Sequence, residues 1–399
     1  MFAETARRLH FDVALATDRC HILEDPWGDH AIAVRFEDPY GSRDILAVAG
    51  PYDGVIAVGD RPTLLAALTA ETLGIPHHPP AAAAACRDKF LARQAFQAAG
   101  LRVPEFFRVP ISSDPMEVAR HASFPCVLKP LGLSGSRGVI RANNVHEFAD
   151  AFERIRTLLE GTDVAILREE QNQYLQVERF IEGREFALEG MVTHGQARML
   201  AIFDKPDPLD GPFFEETIYV TPSRESAAAR EALMETVRRA VRALGLTHGP
   251  FHAEARWNAA GAWVLEVAAR PIGGLCARTV RFDGGMGLEE LILRHAVGED
   301  VSHARLSDGA SGVMMIPIPK AGIYIGAEGI ESAEKIPDVQ EVTITAKEGQ
   351  KILRLPEGSS YLGFIFARAE SPERVEHALR QAHACLQFEI ATALPVVGR

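Results

Sequence analysis

Glu254 and Glu266 flank a turn signal, Asn258 to Gly261, inside a stretch where apolar and polar residues alternate. The alternation predicts antiparallel strands over 251–257 and 262–268. His252, Glu254, Arg256, Glu266 and Ala268 would share one face, and Ala253, Ala255, Trp257, Trp263, Leu265 and Val267 the other, which suits a core. A hairpin centred near Ala260 sets Arg256 opposite Val264 and Glu254 opposite Glu266. Carboxylates facing each other across two strands repel. A divalent cation between them removes that cost and takes both as hard oxygen ligands, with nucleotide phosphates completing a magnesium shell. The alternative is that Arg256 and Arg270 neutralise one glutamate each.

The stretch Lys129-Pro-Leu-Gly-Leu-Ser-Gly-Ser-Arg-Gly-Val139 holds Gly132, Gly135 and Gly138 with Ser134 and Ser136. Small residues let backbone N–H groups approach phosphate oxygens, and the neighbouring lysine adds charge. Walker and Rossmann loops open into a helix whose N-terminus holds the phosphate. This loop opens into Val139-Ile140-Arg141 and then Asn143-Asn144, a strand and a turn. It therefore joins two strands and can cover a nucleotide as a lid; a Rossmann dehydrogenase is excluded. Arg270, followed by Pro271, Gly273 and Gly274, sets a fixed cation and a closely approachable backbone just past the second glutamate strand. That arrangement suits a phosphoryl oxygen or a substrate carboxylate.

The elements that must carry these groups follow from periodicity. Residues 1–80 read as α/β, with apolar runs at Val13–Ala16 and Ile45–Ala49, a glycine-bounded strand over 54–59 and a helix from Pro62 to Leu73. A helix over Ala81–Ala99 stops at Gly100. Strands are expected at Cys126–Lys129, Gly138–Arg141, Tyr174–Phe180 and Arg184–Thr193, and helices at His146–Leu159 and Ser226–Leu244. The last 95 residues read as a separate α+β unit, with a strand over Tyr361–Ala369 and a helix opened by Ser371-Pro372. The 399 residues allow two or three domains. A net charge of −12 argues against a nucleic-acid or anionic-membrane partner. Cys20, Cys86, Cys126, Cys276 and Cys385 show no paired spacing and read as buried thiols of a reducing compartment. The first residues lack the apolar core of a signal peptide, so the expected location is cytoplasmic.

A glycine loop between strands, paired carboxylates on a later hairpin and an Arg-Pro-x-Gly-Gly tail together resemble the ATP-grasp superfamily. Within it the chain looks most like the carboxylate–amine ligases of the L-amino acid ligase (dipeptide synthetase) group, over nearly its whole length. The resemblance implies an ATP-grasp fold of mixed α/β and α+β class. Its parts would be a pre-ATP-grasp α/β domain (1–82, with Asp60 near its end), a linker helix (83–103) and a lid subdomain with the glycine loop (104–175). A large subdomain with the metal site (176–304) and an L-amino acid ligase-like C-terminal domain (305–399) would follow. ATP and Mg²⁺, or Mn²⁺, are the implied cofactors. Lys89, Lys129, Ser134, Gly135, Ser136 and Gly138 would meet the phosphates. Glu178 would face the adenine amino group, Ile181 would offer it backbone, and Glu185 would hold the ribose. Glu254 and Glu266 would bind metal, while Arg270, Gly273 and Gly274 would stabilise the reacting group. Glu216 and Tyr219 match an acidic residue and a histidine that line the amino-acid pocket, tyrosine standing for the histidine. Ala268 replaces a common metal-binding asparagine.

The implied activity joins a small carboxylate to an amine through an acyl phosphate, releasing ADP and phosphate, in a possible homodimer. Two other readings compete: a ligase for a non-amino-acid acid or amine, and a nucleotide-binding protein without turnover.

Overall fold

The computed structural model describes residues 1–18 and 31–392. Two antiparallel sheets face a common cleft. The smaller has four strands, in the order Phe106–Pro110, Tyr174–Arg179, Cys126–Pro130 and Ile140–Ala142. The helix Val145–Glu160 covers it, burying Phe148, Ala151, Phe152, Ile155 and Leu159 along one stripe. Asn144 starts that helix by accepting hydrogen bonds from the His146 and Glu147 N–H groups.

The larger sheet has eight strands. Gly261–Ala268, Gly249–Asn258, Arg184–Thr193, Gln196–Asp204 and Ile218–Thr221 lie side by side, and Ala310–Ile316, Gly363–Ala369 and Val339–Ile344 continue it. The helix Ala227–Leu244 packs Leu233, Val237, Val241 and Leu244 beneath it, and left-handed Gly245 (φ 77°) closes that helix. Because Ser311 pairs with Thr221, the C-terminal unit is hydrogen-bonded into the central sheet rather than standing apart from it. Its helix Pro372–Cys385, capped by Ser371, buries Val375, Ala378, Leu379 and Ala382 against those added strands.

Three local expectations change. The stretch 81–99 is two helices, Pro80–Arg87 and Lys89–Ala98, because Asp88 is extended and accepts from the Phe90 and Leu91 N–H groups. Ile45–Ala49 belongs to the helix Pro39–Ala49, started by Asp38 and a proline at its first position. The run 54–59 forms no strand and finds no pairing partner among the described residues. Cys86, Cys126 and Cys276 are buried and Cys385 is half-buried, all as free thiols, while Cys20 lies outside the described residues.

Candidate active site

The glutamate hairpin is closed by Asn258 and Gly261, and Glu254 does face Glu266. The turn sits half a residue from the expected centre, so Arg256 pairs with Trp263 rather than Val264. A bulge next to Glu254 restores the glutamate register. The same bulge changes which residues face the core: Ala262 and Val264 are buried there, whereas Leu265 turns into the cleft.

A cleft open to solvent lies between the two sheets. Lys89, Lys129, Ser134, Gly135, Ser136, Glu178, Ile181, Glu185, Glu216, Glu254, Glu266 and Arg270 all line it, with Val127, Phe180, Phe214 and Leu265 as an apolar wall. Gly138, Tyr219, Gly273 and Gly274 do not line it. Gly138 has a structural reason to be glycine. Its φ is 73°, and a Cβ there would lie 2.6 Å from Pro130.

Charges at the hinge end are closed on one another. Glu178 receives Arg93 Nη2 at 2.9 Å and Gln176 Nε2 at 2.8 Å, and Lys129 Nζ pairs with its other oxygen. Burial pushes this carboxyl up, but Arg93 and Lys129 outweigh it and hold it at about 2. Arg256 donates to Glu185 (2.9 Å), to the Ile181 carbonyl (2.5 Å) and to the Leu209 carbonyl (2.6 Å), which fixes the hinge backbone.

The phosphate end is built differently. Arg256 is occupied by Glu185, and Arg270 grips Asp60 with two bonds of 2.9 Å, so neither arginine bonds Glu254 or Glu266, although the Arg270 charge still acts on Glu266. Among the described residues the ion-pair partner of Glu266 is Lys89 Nζ, at 3.8 Å. Glu254 has Lys205 Nζ at 3.6 Å and His252 Nε2 at 3.8 Å. Burial pushes Glu254 up, yet Lys205 and His252 keep it well below the usual carboxylate range. Lys89 stands at the first position of its helix, where the dipole disfavours a cation unless an anion is near. Its Nζ also donates to the Leu133 carbonyl at 2.6 Å, which ties it to the glycine loop.

Three contributors were not singled out by residue pattern. Lys205, at the end of the strand Gln196–Asp204, sits among Glu185 (2.8 Å), Glu216 and Glu254. Burial would lower its pKa, but these carboxylates raise it well above the ordinary lysine value. His252 is backed by buried Glu189, whose other oxygen accepts from the Ile272 N–H at 3.2 Å. Burial lowers this histidine, but Glu189 lifts it to about 9. Asp60 was noted only as part of the resemblance; its role as the anchor of Arg270 comes from the fold.

Two glutamates opposed across a hairpin are donors of the chemistry that suits a magnesium ion. Carboxylate oxygens of Glu185, Glu216 and Glu254 lie within 4.8 Å of one another, but Lys205 already fills that cluster with an ammonium. Glu254 and Glu266, opposed across the hairpin with cations no nearer than 3.6 Å among the described residues, would be the carboxylates to hold a hard cation.

Known proteins resemble this chain in sequence and fold. A family model described as "ATP-grasp domain" matches residues 122–279, and "L-amino acid ligase C-terminal domain 2" matches 314–391. The crystal structure of an L-amino acid ligase from Bacillus licheniformis superposes with a TM-score of 0.84 at 28% identity, covering 98% of this chain and 96% of that one. An alanine–anticapsin ligase of Bacillus subtilis is 26% identical over 237 residues, 56% of this chain and 49% of that protein. An uncharacterised protein of Sinorhizobium fredii is 26% identical over 317 residues, 79% of this chain and 64% of that protein. The chain thus spans between about half and two-thirds of the length of these two curated relatives. No helix among the described residues is long and apolar enough to cross a membrane. The chain carries an ATP-grasp domain followed by an L-amino acid ligase C-terminal domain, in the fold of the L-amino acid ligase group of ATP-grasp proteins.

Proposed function

We propose that the protein is an ATP-dependent carboxylate–amine ligase that forms an amide or peptide bond with an amino-acid substrate. One observation supports this reading above the others: two opposed glutamates, left unpaired by both nearby arginines, share a cleft with Lys89, Lys129 and the Ser134–Ser136 loop. The match of residues 314–391 to an L-amino acid ligase C-terminal domain favours turnover over nucleotide binding alone.

A carboxylate resists attack because its charge repels nucleophiles and oxide is a poor leaving group. In the proposed reaction the substrate carboxylate attacks the γ-phosphorus, the bond to the bridging oxygen breaks, and ADP leaves. The amine then adds to the acyl phosphate, and phosphate departs as the amide forms. Glu254 and Glu266 would hold Mg²⁺, which neutralises phosphate charge when bound. Lys89, Lys129 and the loop N–H groups offset the rest. Arg270, held by Asp60, is aimed to stabilise the acyl phosphate and the later oxyanion. Glu178, Ile181 and Glu185 form the hinge wall on which the adenosine would rest.

The amine site is proposed at Glu216. Tyr219 donates to its Oε1 at 2.7 Å, and Lys205 bonds the same oxygen. Burial pushes the Glu216 carboxyl up and Lys205 draws it down, and a substrate ammonium would bind this carboxylate by a charge-assisted hydrogen bond. Tyr219 therefore acts on the substrate through Glu216.

The test is incubation with Mg-ATP and amino acids, singly and in pairs, with product analysis. Amide with ADP and phosphate is the expected result. AMP with pyrophosphate would reject the acyl phosphate, and nucleotide binding without acceptor-dependent ADP would favour the non-catalytic reading.

A further inference from the structure

The glycine loop has two sides. Ser134, Gly135 and Ser136 line the cleft, whereas Arg137 and Gly138 bond to a turn of the C-terminal unit. The Gly138 N–H donates to the Pro356 carbonyl at 2.8 Å, and Arg137 Nε donates to the Glu357 carbonyl at 2.8 Å. The loop tip also approaches Ser359, whose Cβ would lie 3.5 Å from a Cβ on Gly135. Behind the loop, Arg154 on the helix Val145–Glu160 clasps the Glu357 carboxylate through Nε (2.5 Å) and Nη2 (2.9 Å). A single residue of the C-terminal unit therefore meets both the loop and the helix that carries the small sheet.

The turn itself is tightly built. The Gly358 N–H donates to the Arg354 carbonyl at 2.8 Å, and a Cβ on Gly358 would fall 2.0 Å from the Leu353 carbonyl oxygen. Both members of the Arg154–Glu357 pair are about two-fifths exposed. Exposed pairs hold weakly and are easily broken, as suits a contact that must release whenever the loop opens.

We propose that this turn, residues 354–359, is a latch through which the C-terminal unit holds the glycine loop over the phosphate end of the cleft, with Glu357 as its positioning residue. The latch deepens the ligase reading and rests on it for one readout only, the coupling of ATP use to amide formation. Losing the hold lets water reach the acyl phosphate, so more ADP forms per amide.

The experiment compares wild type with E357A, R154E and the charge-swapped double variant R154E/E357R. In E357A, affinity for Mg²⁺ and a fluorescent ADP analogue should fall about two- to fivefold, the scale of one exposed ion pair lost. Tryptic cleavage after Arg137 should speed up, and ADP released per amide should rise. The double variant should recover all three relative to R154E. The latch is overturned if folded E357A, with an unchanged melting temperature, leaves tryptic cleavage and analogue affinity as in wild type. It is equally overturned if the swap restores nothing. Should wild type bind no nucleotide, the ligase reading fails, and the tryptic rate after Arg137 still decides the latch.

Discussion

The two ends of the cleft use charge in opposite ways. At the hinge, Glu178 and Glu185 are enclosed by Arg93, Lys129, Arg256 and Lys205 at bonding distance. At the other end, Glu254 and Glu266 face each other, with cations no nearer than 3.6 Å among the described residues. Closed networks position a wall and cost much to open. Opposed carboxylates without directly bonded cations leave room for a cation to join them. Substitution should therefore separate them: the hinge should answer in stability, the phosphate end in turnover.

The largest expected effect is at Glu266. E266Q should lower turnover on the order of a thousandfold, as when a stabiliser of transition-state charge is deleted. Its melting temperature should hold or rise, because the Glu254–Glu266 repulsion is gone. A collapse in stability would place Glu266 among the structural charges.

E178Q should do the reverse and destabilise the protein by about 3 kcal/mol or more, since buried Arg93 loses its counter-ion. The sign with pH follows from the lowered carboxyl. With Glu178 at about 2 in the folded chain and ~4.3 unfolded, its contribution is complete above the unfolded value and fades as pH falls through 2. Denaturant melts of both proteins between pH 6 and pH 2.5 should show the gap narrowing on the acid side.

D60N blurs the contrast, because Arg270 reaches the cleft only as far as Asp60 aims it. Turnover should drop about ten- to a hundredfold, the usual result of a misplaced catalytic group. Unchanged turnover would remove Asp60 as a positioning residue. Y219F should be mildest, raising KM for the amine about threefold by removing one hydrogen bond to Glu216, with KM for ATP unmoved.

Legibility in the sequence followed the range of the interactions. The glutamate pair and the loop are encoded locally, by alternation and by glycine spacing, and both occupy the cleft. Even there Arg256 pairs one residue off, because the turn is centred half a residue away and the bulge that restores Glu254 leaves no mark in a two-residue period. Asp88 broke an alanine-rich helix through one capping carboxylate, a signal masked by the helix propensity around it. Lys205 was invisible for another reason. It gains meaning only when the strands Arg184–Thr193 and Gln196–Asp204 pair and bring it beneath Glu254. The continuation of the large sheet into the C-terminal unit is equally non-local, since it depends on Ser311 meeting Thr221 across 90 residues of chain.

The claim that Glu254 and Glu266 seat a nucleotide-bound cation can be measured directly by electron paramagnetic resonance of Mn²⁺ titrated with ADP. Wild type and Y219F should immobilise the Mn²⁺–ADP complex, and E254Q and E266Q should leave it tumbling free. Equal immobilisation in all four proteins would contradict the assignment and place the metal elsewhere in the cleft.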